Sequence, residues 1–89
     1  MTQTIIRNDD IIMVAVKSLH NGYIKHIYVL GNKEGTMFIN HKSNTFIPDP
    51  LKSKEFNIKK DALDYNKQNK NNYKEELYPH LVRITVELI

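Results

Sequence analysis

The chain has 89 residues, 40% of them hydrophobic and 26% charged, with no cysteine and a formal net charge of +3 at pH 7. That length suits one domain, near the small end of those that bury a workable core alone, and the lack of cysteine excludes disulfides and thiolate metal sites. The lysines are dispersed, several beside acids (Lys33 and Glu34, Lys54 and Glu55, Lys60 and Asp61, Lys74 and Glu75), and arginine occurs only at Arg7 and Arg83; this leans away from the clustered basic patch of a dedicated nucleic-acid binder.

Met1-Thr2-Gln3-Thr4 shows no basic segment leading into an apolar one, and the longest apolar run, Ile11 to Val16, is too short to span a bilayer. The expected location is cytoplasmic. Thr4 to Arg7 predicts a short edge strand closed by the turn-prone Asn8-Asp9-Asp10. Two apolar-rich runs follow, Ile11 to Leu19 and Tyr23 to Leu30, separated by Asn21-Gly22. Asn-Gly accepts the positive φ angles of a type I′ turn, so this pair predicts a two-residue hairpin. In that register His20 faces Tyr23, Leu19 faces Ile24, Lys17 faces His26, Val16 faces Ile27 and Val14 faces Val29. One face then carries Ile12, Val14, Val16, Ile27 and Val29, a dry aliphatic stripe. The other carries Met13, Ala15, Lys17 and Leu19 against Ile24, His26, Tyr28 and Leu30, and is amphipathic.

Gly31 to Gly35 reads as a loop, Thr36 to Asn40 as a short strand, and Thr45 to Ile47 as its return through a turn with Asn44 in a left-handed conformation. Asp49-Pro50 has the form of a helical start, with Asp as N-cap and Pro at the first helical position. A firmer helix is expected from about Asn57, as its cap, to Asn69, with Ile58, Ala62 and Tyr65 on one side and Leu63 widening the stripe. Asn69 to Asn72 is linker-like, and Asn72 with Glu75 has the spacing of a capping box for a brief helix holding Tyr73 and Leu77. Leu81 to Leu88 alternates Val82, Ile84, Val86 and Leu88 with Arg83, Thr85 and Glu87, the pattern of a half-buried strand. These elements describe one α+β domain spanning 1–89, an antiparallel sheet of four to five strands with one main helix on one face. The expected core is Ile12, Val14, Val16, Ile27, Val29, Ala62, Leu63, Val82, Ile84 and Val86.

No motif for catalysis stands out. His20, His26, His41 and His80 lack the spacings H-x-x-x-H and H-E-x-x-H, and none adjoins a carboxylate. Ser18, Ser43 and Ser53 sit in no G-x-S-x-G elbow, and Gly22, Gly31 and Gly35 fall between strands rather than ahead of a helix. Asp9-Asp10 and Glu75-Glu76 are sequence neighbours whose side chains diverge. The expectation is a non-enzymatic protein with no catalytic residue, metal site or cofactor. Five residues remain as candidates for binding a partner: Lys17, Tyr23, Lys25, His26 and Tyr28. Basic strands with exposed aromatics can stack nucleic-acid bases, and tyrosine is equally at home in protein interfaces.

The stretch from Asn44 to Tyr65, with Phe56, Lys59, Lys60, Asp61 and Ala62 as its marks, followed by the strand from Leu81, resembles a layout recurrent in short accessory proteins of Gram-positive phages. There a hairpin leads into a lysine-rich turn ending in Phe, then a helix beginning Lys-Lys-Asp/Glu-Ala, then a last strand. The resemblance covers about half the chain. It implies a product of a phage or mobile element that binds a host or competing defence protein, an anti-CRISPR-like role among the options, and it carries over no site residue. The alternative is a small nucleic-acid-binding protein using Lys17, Tyr23, Lys25 and Tyr28. The face of Met13, Ala15, Leu19, Ile24, Tyr28 and Leu30 needs cover, because large apolar patches are rarely left in water: either Thr4 to Arg7 and the Leu51 to Phe56 turn supply it or a second copy does, and the reading leans to a homodimer with Tyr28 near its centre.

Overall fold

The last strand of the chain lies in the middle of the sheet. The computed structural model describes residues 3–8, 11–40, 42–43, 45–69, 72–73 and 75–89. Its strands are β1 (Gln3–Asn8), β2 (Ile11–Ser18), β3 (Tyr23–Gly31), β4 (Phe38–Ile39), β5 (Phe46–Ile47) and β6 (Tyr78–Leu88), arranged β1-β2-β6-β3-β4-β5. A single 3-10 turn (Pro50–Lys52) and helix α1 (Lys59–Asn69) stand between β5 and β6. β6 runs parallel to β2, with Ile12 opposite Val82 and Val16 opposite Val86, and antiparallel to β3, with Ile27 opposite Val82 and Tyr23 opposite Val86. The α+β class stands. The sheet has six strands, two of them of two residues, and is mixed rather than wholly antiparallel.

The predicted Asn21-Gly22 hairpin does not form, because β6 separates β2 from β3. Neither Lys17 and His26 nor Val16 and Ile27 pair; each meets β6 instead. A tight turn joins strands about 5 Å apart, whereas strands on either side of a third lie about 10 Å apart. Gly22 accordingly lacks the positive φ of a type I′ turn, and Gly35 is the described glycine that has it, at 71°. Gly22 serves a different need: a Cβ there would stand 3.2 Å from the Val86 carbonyl oxygen and 3.4 Å from the Leu88 nitrogen. A side chain at that point would have to push the end of β6 aside by a few tenths of an ångström.

Alternation along the three central strands sorts their side chains onto two faces. Ile12, Val14, Val16, Ile27, Val29, Val82, Ile84 and Val86 form the inner face and one buried cluster with Phe38. Ile5 and Leu51 pack against it, half-buried. This is the expected aliphatic stripe, kept intact although the pairing differs. Its parity survives because each residue pairs with β6 at the same phase.

A second cluster unites Leu30, Ile39, Phe56, Ala62 and Leu77, with Tyr28, Phe46, Tyr65 and Tyr73 around it. Phe56 pairs with Tyr28 through two backbone hydrogen bonds of 2.8 and 2.9 Å, which draws the segment after the 3-10 turn onto the free edge of β3. The Asp49-Pro50 signal holds: the Asp49 carboxylate accepts a hydrogen bond from the Leu51 N–H at 2.9 Å. The buried Ser53 hydroxyl donates to the Ile39 carbonyl at 2.6 Å. α1 starts at Lys59, two residues beyond the expected cap Asn57, and Leu63 is 44% exposed rather than core. Tyr73 and Leu77, expected in a brief helix from Asn72, are not helical. Instead the Asn66 side-chain amide donates to the Leu77 carbonyl at 3.0 Å, tying α1 to the entry of β6.

β6 begins three residues earlier than the expected strand and includes Pro79. Among the described residues Pro79 pairs with β3, opposite Leu30, and the β2 ladder starts at Leu81; proline is tolerated near the start of a strand, where its missing N–H interrupts little of a ladder. Asp9, Asp10, His41, Asn44, Lys70, Asn71 and Lys74, on which some of the expected turns rest, lie outside the described residues.

Val82 is fully buried between two ladders. Val82→Ala should therefore lower unfolding stability by about 1–3 kcal/mol through lost burial and a cavity, while Leu63→Ala should change it by no more than about 0.5 kcal/mol. Urea denaturation followed by circular dichroism measures both. The Tyr65 and Tyr73 hydroxyls are 3.1 Å apart, and burial, then the hydrogen bond and charge of Tyr65, push the Tyr73 hydroxyl up from 10.0 to about 12. A folded-state value above the unfolded one means the contribution is full below about pH 10 and is lost as pH climbs toward 12. The urea midpoint should fall more steeply over that window for the native chain than for Tyr73→Phe.

Candidate functional site

The inner face is not closed along its whole length. At the end carrying the β2–β3 connection it opens into a hollow of about 340 Å³. Its floor is Val16, Ile84, Val86 and Leu51, and its rim is Ser18, His20, Asn21, Tyr23, Lys25 and Glu55. The floor comes from the pairing described above, since Val16 on β2 and Val86 on β6 are opposite one another and Tyr23 on β3 faces Val86 from the other side. Leu51 arrives from the 3-10 turn that Asp49 caps. Glu55 then reaches the Lys25 ammonium at 3.3 Å, with both side chains nearly half exposed. The result is an apolar socket with an aromatic side chain and a neutralised ion pair at its mouth. Tyr23 is 54% exposed and Leu88, next to Gly22, 61% exposed.

The five candidate residues do not come together as one surface. Tyr23 and Lys25 line the hollow on the inner face. Lys17, His26 and Tyr28 have the opposite parity and occupy the outer face. Lys17 makes an ion pair with Glu87, its neighbour across the β2–β6 ladder. His26 accepts a hydrogen bond from the Arg83 Nε–H at 3.1 Å through Nε2, the pair being opposite one another on β3 and β6. Tyr28 packs into the second cluster. The predicted contact of Lys17 with His26 is absent because both residues meet β6. Leu51, Glu55, Ile84 and Val86 complete the socket, and their part in it was not visible in the sequence. The Asp49-Pro50 cap marks a turn at Leu51 but not the sheet position it reaches, and Lys25 and Glu55 are 30 residues apart.

A second cavity, of about 480 Å³, lies at the other end of the sheet. Tyr28, Lys33, Glu34, Lys59, Tyr78 and His80 line it over Ile11 and Leu81. His80 and Tyr78 in its lining have internal partners. The His80 Nε2–H donates to the Asn32 carbonyl at 2.7 Å, and its ring meets Phe38 edge-on with centroids 6.0 Å apart. The Asn32 side-chain oxygen in turn accepts from the N–H groups of Thr36 and Met37. Tyr78 donates to the Glu76 carboxylate at 3.2 Å, and that hydrogen bond, more than the charges of Glu76 and Glu34, raises its hydroxyl above the usual value. The apolar socket, with its exposed aromatic rim, is the stronger candidate for recognition.

Among the described residues, no three His, Asp or Glu side chains converge in a way that could hold a metal ion, and no helix is long and apolar enough to cross a membrane. Comparison with known proteins finds no matching family model, no matching curated protein and no matching solved structure.

The Lys17–Glu87 and Lys25–Glu55 pairs sit in solvent, where ion pairs contribute little. Lys17→Ala and Lys25→Ala should each shift stability by less than about 1 kcal/mol, and any effect should shrink as salt rises. Urea midpoints at low and high ionic strength test this, and they qualify both positions for binding studies.

Proposed function

We propose that this chain is a non-enzymatic protein-binding domain that takes a partner's apolar side chain into the socket between Val16, Ile84, Val86 and Leu51. The observation that carries the reading is the coincidence of an open apolar hollow with an exposed Tyr23 at its rim. Energetic centres of protein interfaces are commonly one or two large side chains seated in a desolvated pocket, ringed by contacts that exclude water. A volume near 340 Å³ holds a side chain of that size. Tyr23, Lys25 and Glu55 would form the ring, and the paired strands β2, β6 and β3 beneath it would hold the socket rigid.

The partner class follows from the resemblance to phage accessory proteins: a host or defence protein met in the cytoplasm of a Gram-positive cell, bound so as to inhibit or sequester it. Nucleic acid is the less favoured partner. Lys17 and Lys25 face opposite sides of the sheet, and each already has a glutamate beside it.

Tagged protein should recover a discrete partner from a Gram-positive lysate, and Tyr23→Ala should weaken that complex on the order of tenfold or more. Recovery that is indifferent to Tyr23→Ala, or background alone across several lysates, would overturn the reading. Micromolar oligonucleotide binding that weakens with salt and with Lys25→Glu would instead promote the nucleic-acid alternative.

A further inference from the structure

The outer face carries a second apolar surface, on the far side of the sheet from the socket. Of the six residues expected to share that face, Tyr28 and Leu30 belong to the cluster that holds Ala62 and Tyr65 of α1. The remaining four have no such cover. Leu19 is 75% exposed and Ile24 64% exposed, with Met13 and Ala15 half-buried beside them. Ile89 extends the patch. Its N–H donates to the Ser18 carbonyl at 2.8 Å, so the β2–β6 ladder continues past Leu88 and alternation puts Ile89 on the side of Glu87. It is 73% exposed.

We infer that a second copy of this chain covers this surface in a twofold dimer. Charge favours that occupant. The patch carries Lys17 and Glu87 side by side, each about half exposed, and Arg83 in the row of Met13, where it donates to His26. A twofold axis near Lys17 and Glu87 brings Lys17 of one copy against Glu87 of the other and the reverse, a closed arrangement that keeps Arg83 two rows from the axis. Area is consistent with it. Leu19, Ile24 and Ile89 are mostly exposed, and with the Lys17–Glu87 pair and the half-buried Met13 and Ala15 they supply part of the roughly 800 Å² per partner of a stable interface. The expected dimer is thereby moved. Tyr28, placed near its centre by sequence, is held in the cluster with α1 instead, and the axis passes near Ala15, Lys17 and Glu87.

This surface is separate from the socket, so the two readings fail independently. Light scattering on the full chain at micromolar concentration should give about twice the monomer mass of 10.5 kDa. Ile24→Glu and Ala15→Arg should each return the monomer mass with an unchanged far-ultraviolet circular dichroism spectrum, whereas Tyr23→Ala at the socket should leave the dimer intact. Lys17→Glu should weaken association on the order of tenfold, and adding Glu87→Lys should restore it. A monomer mass for the native chain at submillimolar concentration would overturn the proposal. So would a doubled mass that persists in both Ile24→Glu and Ala15→Arg, or a Lys17→Glu defect that Glu87→Lys does not repair.

Discussion

β6 is the joint of the molecule. It is the strand that hydrogen-bonds to both β2 and β3, and removing it would leave neither of those strands a partner for the side it now occupies. It also contributes Val82, Ile84 and Val86 to the inner face, between two strands whose own side chains already have the right parity. Inserting one strand satisfies two rows of backbone donors and acceptors and closes the aliphatic stripe at once. A direct β2–β3 hairpin would satisfy one row and leave the apolar side of β6 without a core. That difference outweighs the local preference of Asn21-Gly22 for a tight turn.

The sequence was legible wherever the determining interaction was local. Asp49-Pro50 caps a helical turn because the carboxylate and the amide it binds are two residues apart. The apolar parity of Ile12, Val14 and Val16, of Ile27 and Val29, and of Val82, Ile84 and Val86 is a property of each strand alone, so nine of the ten expected core residues are buried. The exception is Leu63, on the side of α1 away from Ala62 and 44% exposed. Legibility ended where two segments had to choose partners. Asn21-Gly22 carries the same chemistry whether the strands beside it touch or straddle a third, and only the close approach of Gly22 to Val86 and Leu88 shows why glycine stands there. Register errors then propagated. Lys17 meets Glu87 and His26 meets Arg83, not each other. The socket could not be read at all, because Leu51 and Glu55 join it from a segment whose route over the sheet depends on the Tyr28–Phe56 bridge.

This topology makes folding a long-range matter. The Lys17–Glu87 contact spans 70 residues, and the β2–β6 ladder beneath it is of the same order. Such contacts incur a large loop-closure entropy before they return any burial, which slows folding relative to a local hairpin. β6 also leaves the ribosome after β2 and β3. Until it docks, β2 and β3 expose the aliphatic residues of the inner face. The Asn66 hydrogen bond to the Leu77 carbonyl lies where that docking begins, and it aligns the start of β6 with α1, an element that can form beforehand from local contacts.

The same end of β6 borders both candidate surfaces. Val86 floors the socket, Leu88 stands exposed beside it, and Glu87 and Ile89 face the other side. Strand ends fray because they have few neighbours, and past Val86 this one is held by β2 alone. A side chain in the socket or a second copy on the outer face would each bind only the docked form of this segment, and a ligand that binds only the ordered state stabilises it by mass action. If both proposed surfaces are used, they share this strand end, and the partner bound first would meet part of the ordering cost for the second.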